Sequence, residues 1–219
     1  MPGPAAAASS ASVFTGAGLA CRRGERLVFA GLSFAVPAGG ALVLTGPNGS
    51  GKSSLLRLMA GLARPEAGTL AWDGVPLDED PGAHRARLHF IGHLDALKPV
   101  LSAAETLGFW AGMHGGAEVA VEAALARFRL LPLASWPCRL LSAGQRRRLA
   151  LARLLASPAA LWLLDEPATG LDSDALADLG AAIAAHRATG GRVVLSTHTP
   201  VPLDGAMTLS LADYAARPL

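Results

Sequence analysis

The sequence predicts an α/β fold: a mainly parallel core sheet wrapped by helices, with a small antiparallel β lobe and a helical lobe attached. Three observations carry this prediction. Short apolar runs alternate with helical patterns along the chain. A glycine-rich stretch, Gly46 to Ser53, stands between a run of strand character and an apolar helical pattern. A buried-type run, Leu161 to Leu164, ends in two adjacent acids.

Taken in order, residues 1–12 are rich in Ala, Ser and Pro and lack the basic start and apolar run of a signal peptide, so they read as a loose tail. Residues 13–219 then form the folded domain. Leu19, Leu32 to Val36 and Thr69 to Trp72 read as short strands separated by Gly- and Pro-containing turns, suited to a small antiparallel lobe. Ala41 to Thr45, Leu161 to Leu164 and Arg192 to Ser196 read as buried strands of a parallel sheet. Leu55, Leu56, Leu58 and Met59 mark a helix after the glycine-rich stretch. Between about residues 96 and 156 the pattern is helical, with Leu107, Trp110 and Ala111, then Val121, Ala124, Leu125 and Phe128, at helical spacing.

At 219 residues the chain can bury one substantial core, and its 51% hydrophobic content is mostly small aliphatic, with 5% aromatic. A formal charge of +2 disfavours binding driven by a nucleic-acid backbone. Cys21 and Cys138 form no CxxC or Cys/His ligand spacing, which suits a reducing compartment and shows no structural metal site. The uncharged run from Leu27 to Gly51 is broken by Pro37, Gly39, Gly40, Gly46 and Pro47, so no segment is expected to span a bilayer. A transport role would need a separate membrane subunit.

Gly46-Pro47-Asn48-Gly49-Ser50-Gly51-Lys52-Ser53 matches GxxxxGK[ST] in its required setting, after a strand and before a helix. Glycines let backbone N–H groups approach phosphate oxygens, the helix start adds partial positive charge, and Lys52 adds a full one. These eight residues and Ser54 are the candidate ATP-binding set, with Ser53 placed to ligate Mg²⁺. The order GxxGxG disfavours a dinucleotide fingerprint. Asp165 and Glu166 stand at the end of a buried strand, where Asp165 can hold Mg²⁺ through water. Glu166 can orient or deprotonate the water that attacks the γ-phosphate.

Leu141-Ser142-Ala143-Gly144-Gln145 precedes a long helix, and Ser142 with Gln145 has capping-box spacing. The phosphate loop, this LSAGQ segment, Leu163-Leu164-Asp165-Glu166-Pro167, Gly170-Leu171-Asp172 and Ser196-Thr197-His198, in this order, resemble the ATP-binding cassette family. The resemblance implies an ATP-dependent homodimer in which Ser142, Gly144 and Gln145 contact ATP held by the partner. It also implies that Asp172 communicates across the dimer and that His198 contacts the γ-phosphate. Arg146-Arg147-Arg148 spans three consecutive helical positions and fans around the helix, so a solvated or interhelical salt-bridging role is expected rather than nucleic-acid binding. Trp72, Trp110, Trp136 and Trp162 read as core or lobe-contact residues. His84, His89, His114 and His186 show no ligand spacing.

Within that family the chain resembles the haem-export branch, the ATP-binding subunits of cytochrome c maturation. The stretches are Leu19-Ala20-Cys21 with Arg26, Leu32-Ser33-Phe34, Ile91-Gly92-His93, Ser142 to Arg148, and Ser196-Thr197-His198-Thr199-Pro200. This implies a peripheral subunit on the cytoplasmic face of the bacterial inner membrane. It would pair with polytopic membrane subunits and act indirectly on a periplasmic haem chaperone. Arg23, or Arg22 if the alignment slips by one, stands where the family carries an adenine-stacking aromatic ring. His93 stands where most members carry a glutamine that senses Mg²⁺ and the γ-phosphate. No CxxCH haem-attachment motif is present. Two alternatives stay open: an exporter of lipid or drug, and a soluble cassette ATPase outside transport, although the latter usually carries two cassettes or a coiled-coil insert.

Overall fold

The computed structural model describes residues 12–113, 115, 118–198, 201 and 203–215. Of the expected tail, residues 1–11 lie outside the described set, and Ser12 is not loose. Its hydroxyl donates to Asp73 Oδ2 at 2.9 Å, and its carbonyl accepts from Ala38 N at 3.0 Å and from the Arg192 guanidinium.

The chain opens with β1 (Val13–Arg23) and β2 (Arg26–Pro37), followed by β3 (Ala41–Thr45), α1 (Lys52–Met59), β4 (Ala67–Trp72) and β5 (Val75–Pro76). Then come α2 (Pro81–Ala86), β6 (Leu88–Ile91), α3 (Ala103–Met113), α4 (Glu118–Arg127) and α5 (Ala143–Ala156). It closes with β7 (Leu161–Asp165), α6 (Ser173–Ala188), β8 (Arg192–Ser196) and β9 (Met207–Ser210). One sheet has the order β2-β1-β4-β5 with antiparallel pairing, and the other has the order β6-β7-β8-β3-β9 with parallel pairing.

The expected short strands at Leu19 and at Leu32 to Val36 are parts of much longer ones. Register shifts between Gly16 and Leu19 and again near Cys21 break the two-residue alternation, which hides the continuous strand from a reading by period. β5, β6 and β9 have four residues or fewer, too short for periodicity to register. The helical segment holds three α-helices, α5 packing against both α3 and α4.

The parallel sheet divides the core in two. Leu42, Leu44, Leu161, Leu163 and Val194 face α1 and the antiparallel sheet. Trp162, Leu164, Val193 and Leu195 face the helical side with Leu107, Leu149 and Ile183. This is the alternation of a strand buried on both faces, and each fully buried Leu or Val stabilises by roughly 1.5–3 kcal/mol. Arg192 ties the layers at the start of β8, donating from Nε to Val36 O at 3.1 Å with its guanidinium 4.9 Å from the Trp72 ring centroid. Of the tryptophans expected in the core or at lobe contacts, Trp136 is not in the core but exposed. None of the described helices is long and apolar enough to cross a membrane.

Candidate active site

Parallel pairing brings the C-terminal ends of β3, β7 and β8 to one edge, with Leu44 opposite Ser196 and Ser196 opposite Asp165. That edge is where open α/β sheets present loops to ligands. The phosphate loop leaves β3 and enters α1 there. Gly46 and Gly51 adopt φ of 133° and 105°, which side chains rarely tolerate. A Cβ at Gly51 would also lie 2.7 Å from the Val28 side chain and 2.9 Å from the Phe29 ring. The loop thus needs glycine for both conformation and space.

Lys52 folds back over the loop, donating from Nζ to Gly46 O at 2.7 Å and Pro47 O at 3.2 Å. No side chain caps the start of α1, and Ser50 Oγ is buried without a partner. Unpaired N–H groups at a helix start and an orphan hydroxyl form a donor set with nothing negative to receive it, which suits a phosphate chain. Ser54 stands in the first turn of α1 near the Cys21 thiol, whose pKa burial pushes up while Ser54 opposes the rise.

Asp165 is buried and its Oδ1 accepts from Ser196 Oγ at 2.7 Å. The Ser196 hydroxyl also accepts from Glu166 N at 3.0 Å, and the same N–H reaches Ser196 O at 3.1 Å. Glu166 adopts φ of 49°, an unusual conformation for a residue with a Cβ. Its Oε2 accepts from His198 N at 3.1 Å, while His198 Nε2 lies 3.5 Å from Glu166 Oε1 and donates to Asn48 Oδ1 at 3.0 Å. One network therefore joins the phosphate loop, both acids and His198. Ser196, which the sequence offers as a strand end and as part of the Ser196-Thr197-His198 motif but with no role of its own, is its hub. Its place opposite Asp165 in the parallel register was the signal.

Elsewhere the capping box at α5 forms, with Gln145 N donating to Ser142 Oγ at 3.2 Å and Ser142 N to Gln145 Oε1 at 2.8 Å. Ser142 keeps its own O–H to donate, whereas the Gln145 side-chain oxygen is already engaged. Gly144 lies under the Gly170 turn, a Cβ there meeting Gly170 O at 3.4 Å. Asp172 caps α6, accepting from Ala175 N at 2.8 Å. Among the described residues no hydrogen bond or ion pair joins Ser142, Gly144 or Asp172 to the phosphate loop.

Arg22 is held by Glu66, with Nε to Oε1 at 3.2 Å, while Arg23 is exposed. His93 is exposed on the loop after β6. The solvated or interhelical expectation fails for Arg147, which is 6% exposed and bonds to the loop after β6 and to the end of β7. Helix periodicity places it on the buried side of α5. His84 and His89 are buried and hydrogen-bonded, to Met59 O and Ser157 O, and His186 stacks on Trp162 with centroids 3.9 Å apart. His114, Thr199 and Pro200 lie outside the described residues.

A protein-family profile described as ABC transporter matches residues 29–169. The chain is 58% identical over 210 residues to the "Cytochrome c biogenesis ATP-binding export protein CcmA" of Paramagnetospirillum magneticum, covering 94% of this chain and 97% of the relative. The protein of the same name from Rhodospirillum rubrum is 56% identical over 94% of this chain and 89% of its own length. Among solved structures, an ATP-binding subunit of an ABC transporter matches with TM-score 0.78 and 27% identity, covering 85% of this chain and 79% of that one. A Pyrococcus furiosus chain described as an ABC transporter ATP-binding protein matches in fold, with TM-score 0.81 and 22% identity over 93% of this chain and 100% of its own. With its phosphate loop, carboxylate pair and the LSAGQ start of α5 on one ABC-type scaffold, the chain belongs to the ABC transporter family, among the cytochrome c biogenesis ATP-binding export proteins.

Proposed function

We propose that this ABC ATPase drives a haem exporter of cytochrome c biogenesis, hydrolysing ATP to deliver haem to, or release it from, a periplasmic haem chaperone. The observation that carries the catalytic reading is the hydrogen-bonded path from Asn48 through His198 to Glu166. It supports reading Glu166 as the general base, because its carboxylate is linked to the loop that would hold the phosphates. The relatives' names and the 58% identity support the choice of branch.

In this reading the N–H groups of the phosphate loop, Ser50 and Lys52 bind the β- and γ-phosphates, and Ser54 supplies a further donor. Lys52 exchanges its two carbonyl acceptors for phosphate oxygens. Ser53 and Asp165 would hold Mg²⁺, Asp165 through water, and the ion when bound offsets phosphate charge. No three His, Cys, Asp or Glu side chains cluster as a metal site among the described residues, so the remaining ligands would be phosphate and water. Glu166 orients and deprotonates the attacking water, and His198 stabilises charge growing on the γ-phosphate. Arg23 stacks on adenine.

A second copy of the chain completes the site. Ser142, with its free O–H, and Gly144 at the start of α5 turn toward the γ-phosphate held by the partner, Gln145 keeps that turn rigid, and Asp172 lies at the joint between copies. His93 and its loop report nucleotide state to polytopic membrane subunits at the cytoplasmic face of the inner membrane. Glu166→Gln tests the assignment, since the amide keeps size and removes the base. It should bind Mg-ATP, hydrolyse it at least about 100-fold more slowly, and elute as a dimer in size-exclusion chromatography. Near-normal turnover would overturn Glu166 as the base. Failure of the wild-type chain to co-purify with polytopic haem-export subunits would overturn the choice of branch.

A further inference from the structure

Arg147 lies on the second turn of α5, and its guanidinium is shared between two separate segments. Nη1 donates to Gly92 O at 3.0 Å and to Asp95 Oδ1 at 3.2 Å, both on the loop after β6. Nη2 donates to Asp165 O at 3.0 Å and Glu166 O at 2.8 Å, at the end of β7. A rigid planar fork thus links the loop that carries His93 to the backbone of both acids. A point-charge ammonium cannot reach both sides at once.

The grip on Glu166 matters because its backbone sits at φ 49°, where a residue with a Cβ stays only if its surroundings hold it. Ser196 holds the N–H side of that residue, and Arg147 holds the carbonyl side. The Glu166 side chain leaves the backbone from that constrained point. Any shift of residues 92–95 pulls on Nη1, and the rigid guanidinium carries the shift to Nη2.

We propose that Arg147 is a positioning residue for hydrolysis, transmitting movement of the 92–95 loop to Glu166 without itself touching nucleotide. The inference rests on Glu166 being the general base. Purely structural packing of α5 would make loss of Arg147 lower stability and nucleotide affinity together. Positioning makes kcat fall alone.

The test uses the full-length chain. Arg147→Lys should keep ATP affinity within about twofold while kcat falls about tenfold or more, and Asp95→Asn should lower kcat by about two- to fivefold. Combined, Asp95→Asn should add nothing to Arg147→Lys, because the link is already broken. An unchanged kcat in Arg147→Lys, a proportional loss of ATP affinity, or additive effects would each overturn the proposal. Should Arg147→Lys not fold, Asp95→Asn decides alone, an unaltered kcat counting against the link. Glu166→Gln run alongside separates the two readings. If it is inactive while Arg147→Lys is normal, only the present inference fails; if it turns over normally, the assignment of the base fails first.

Discussion

At the scale of single residues, groups of the proposed site are already engaged within the protein and would exchange those partners for ATP. Lys52 is the only full positive charge within the phosphate loop, and it satisfies itself on Gly46 and Pro47 carbonyls. Lys52→Ala should weaken ATP binding at least about tenfold, read by equilibrium titration with a labelled nucleotide. The Ser196 hydroxyl bridges Asp165 and the Glu166 N–H. Ser196→Ala leaves a buried carboxylate oxygen short of a partner and the strained Glu166 N–H with only the residue-196 carbonyl, so kcat should drop about tenfold with a smaller change in KM. At His93 an amide offers the same pairing of one donor and one acceptor as a neutral imidazole. His93→Gln should therefore retain hydrolysis and His93→Ala should lose stimulation by the membrane subunits, and wild-type haem delivery by His93→Ala would retire its coupling role.

At the scale of elements, helix starts differ according to their task. α1 begins without a side-chain cap, leaving its donors for a ligand, whereas α5 begins with a closed capping box and α6 with the Asp172 cap. Ser142 caps its own helix and, in the proposed dimer, would also offer a hydroxyl to the partner's ATP. Ser142→Ala should lower unfolding stability by about 1 kcal/mol and also impair the ATP-bound dimer of the Glu166→Gln background. Ser142→Asp separates the duties: chemical denaturation should show the cap restored, while the added negative charge facing the γ-phosphate keeps the dimer from forming.

At the scale of the whole molecule, the buried His84 and the half-buried His186 make the fold sensitive to acid. Burial pushes His186 down to about 4 from 6.5, where it stacks on Trp162 and lies 3.3 Å from Arg192 O. Burial lowers His84 as well, and its Nδ1 must stay unprotonated to accept from Trp72 Nε1 at 3.0 Å. In both cases the unfolded chain takes up the proton more readily than the folded one. Their stabilisation is therefore complete above the unfolded value near 6.5 and is lost as pH falls toward the folded values. With His186 partly screened by solvent, its share is roughly 2 kcal/mol between pH 7 and pH 4. His186→Phe keeps a ring on Trp162 and should flatten that decline in urea unfolding at pH 7 and pH 5.

The sequence by itself determined the phosphate loop, the paired acids and the capped signature helix, because each is a local pattern whose spacing states its chemistry. It also determined the parallel sheet and the helical segment, through buried runs and helical spacing. Tertiary structure alone decided what lies between these pieces. The long strands β1 and β2 stayed hidden because bulges near Gly16 and Cys21 interrupt their alternation. Ser196 became the hub of the site only through its register opposite Asp165, and Arg147 read as one of three solvated or salt-bridging helix cations until the fold turned it inward. Both depend on segments 31 and 18 or 19 residues apart being held side by side, which no local pattern encodes. Pairing across a sheet and burial against a neighbouring element are properties of the packed chain, fixed only when the layers close on one another.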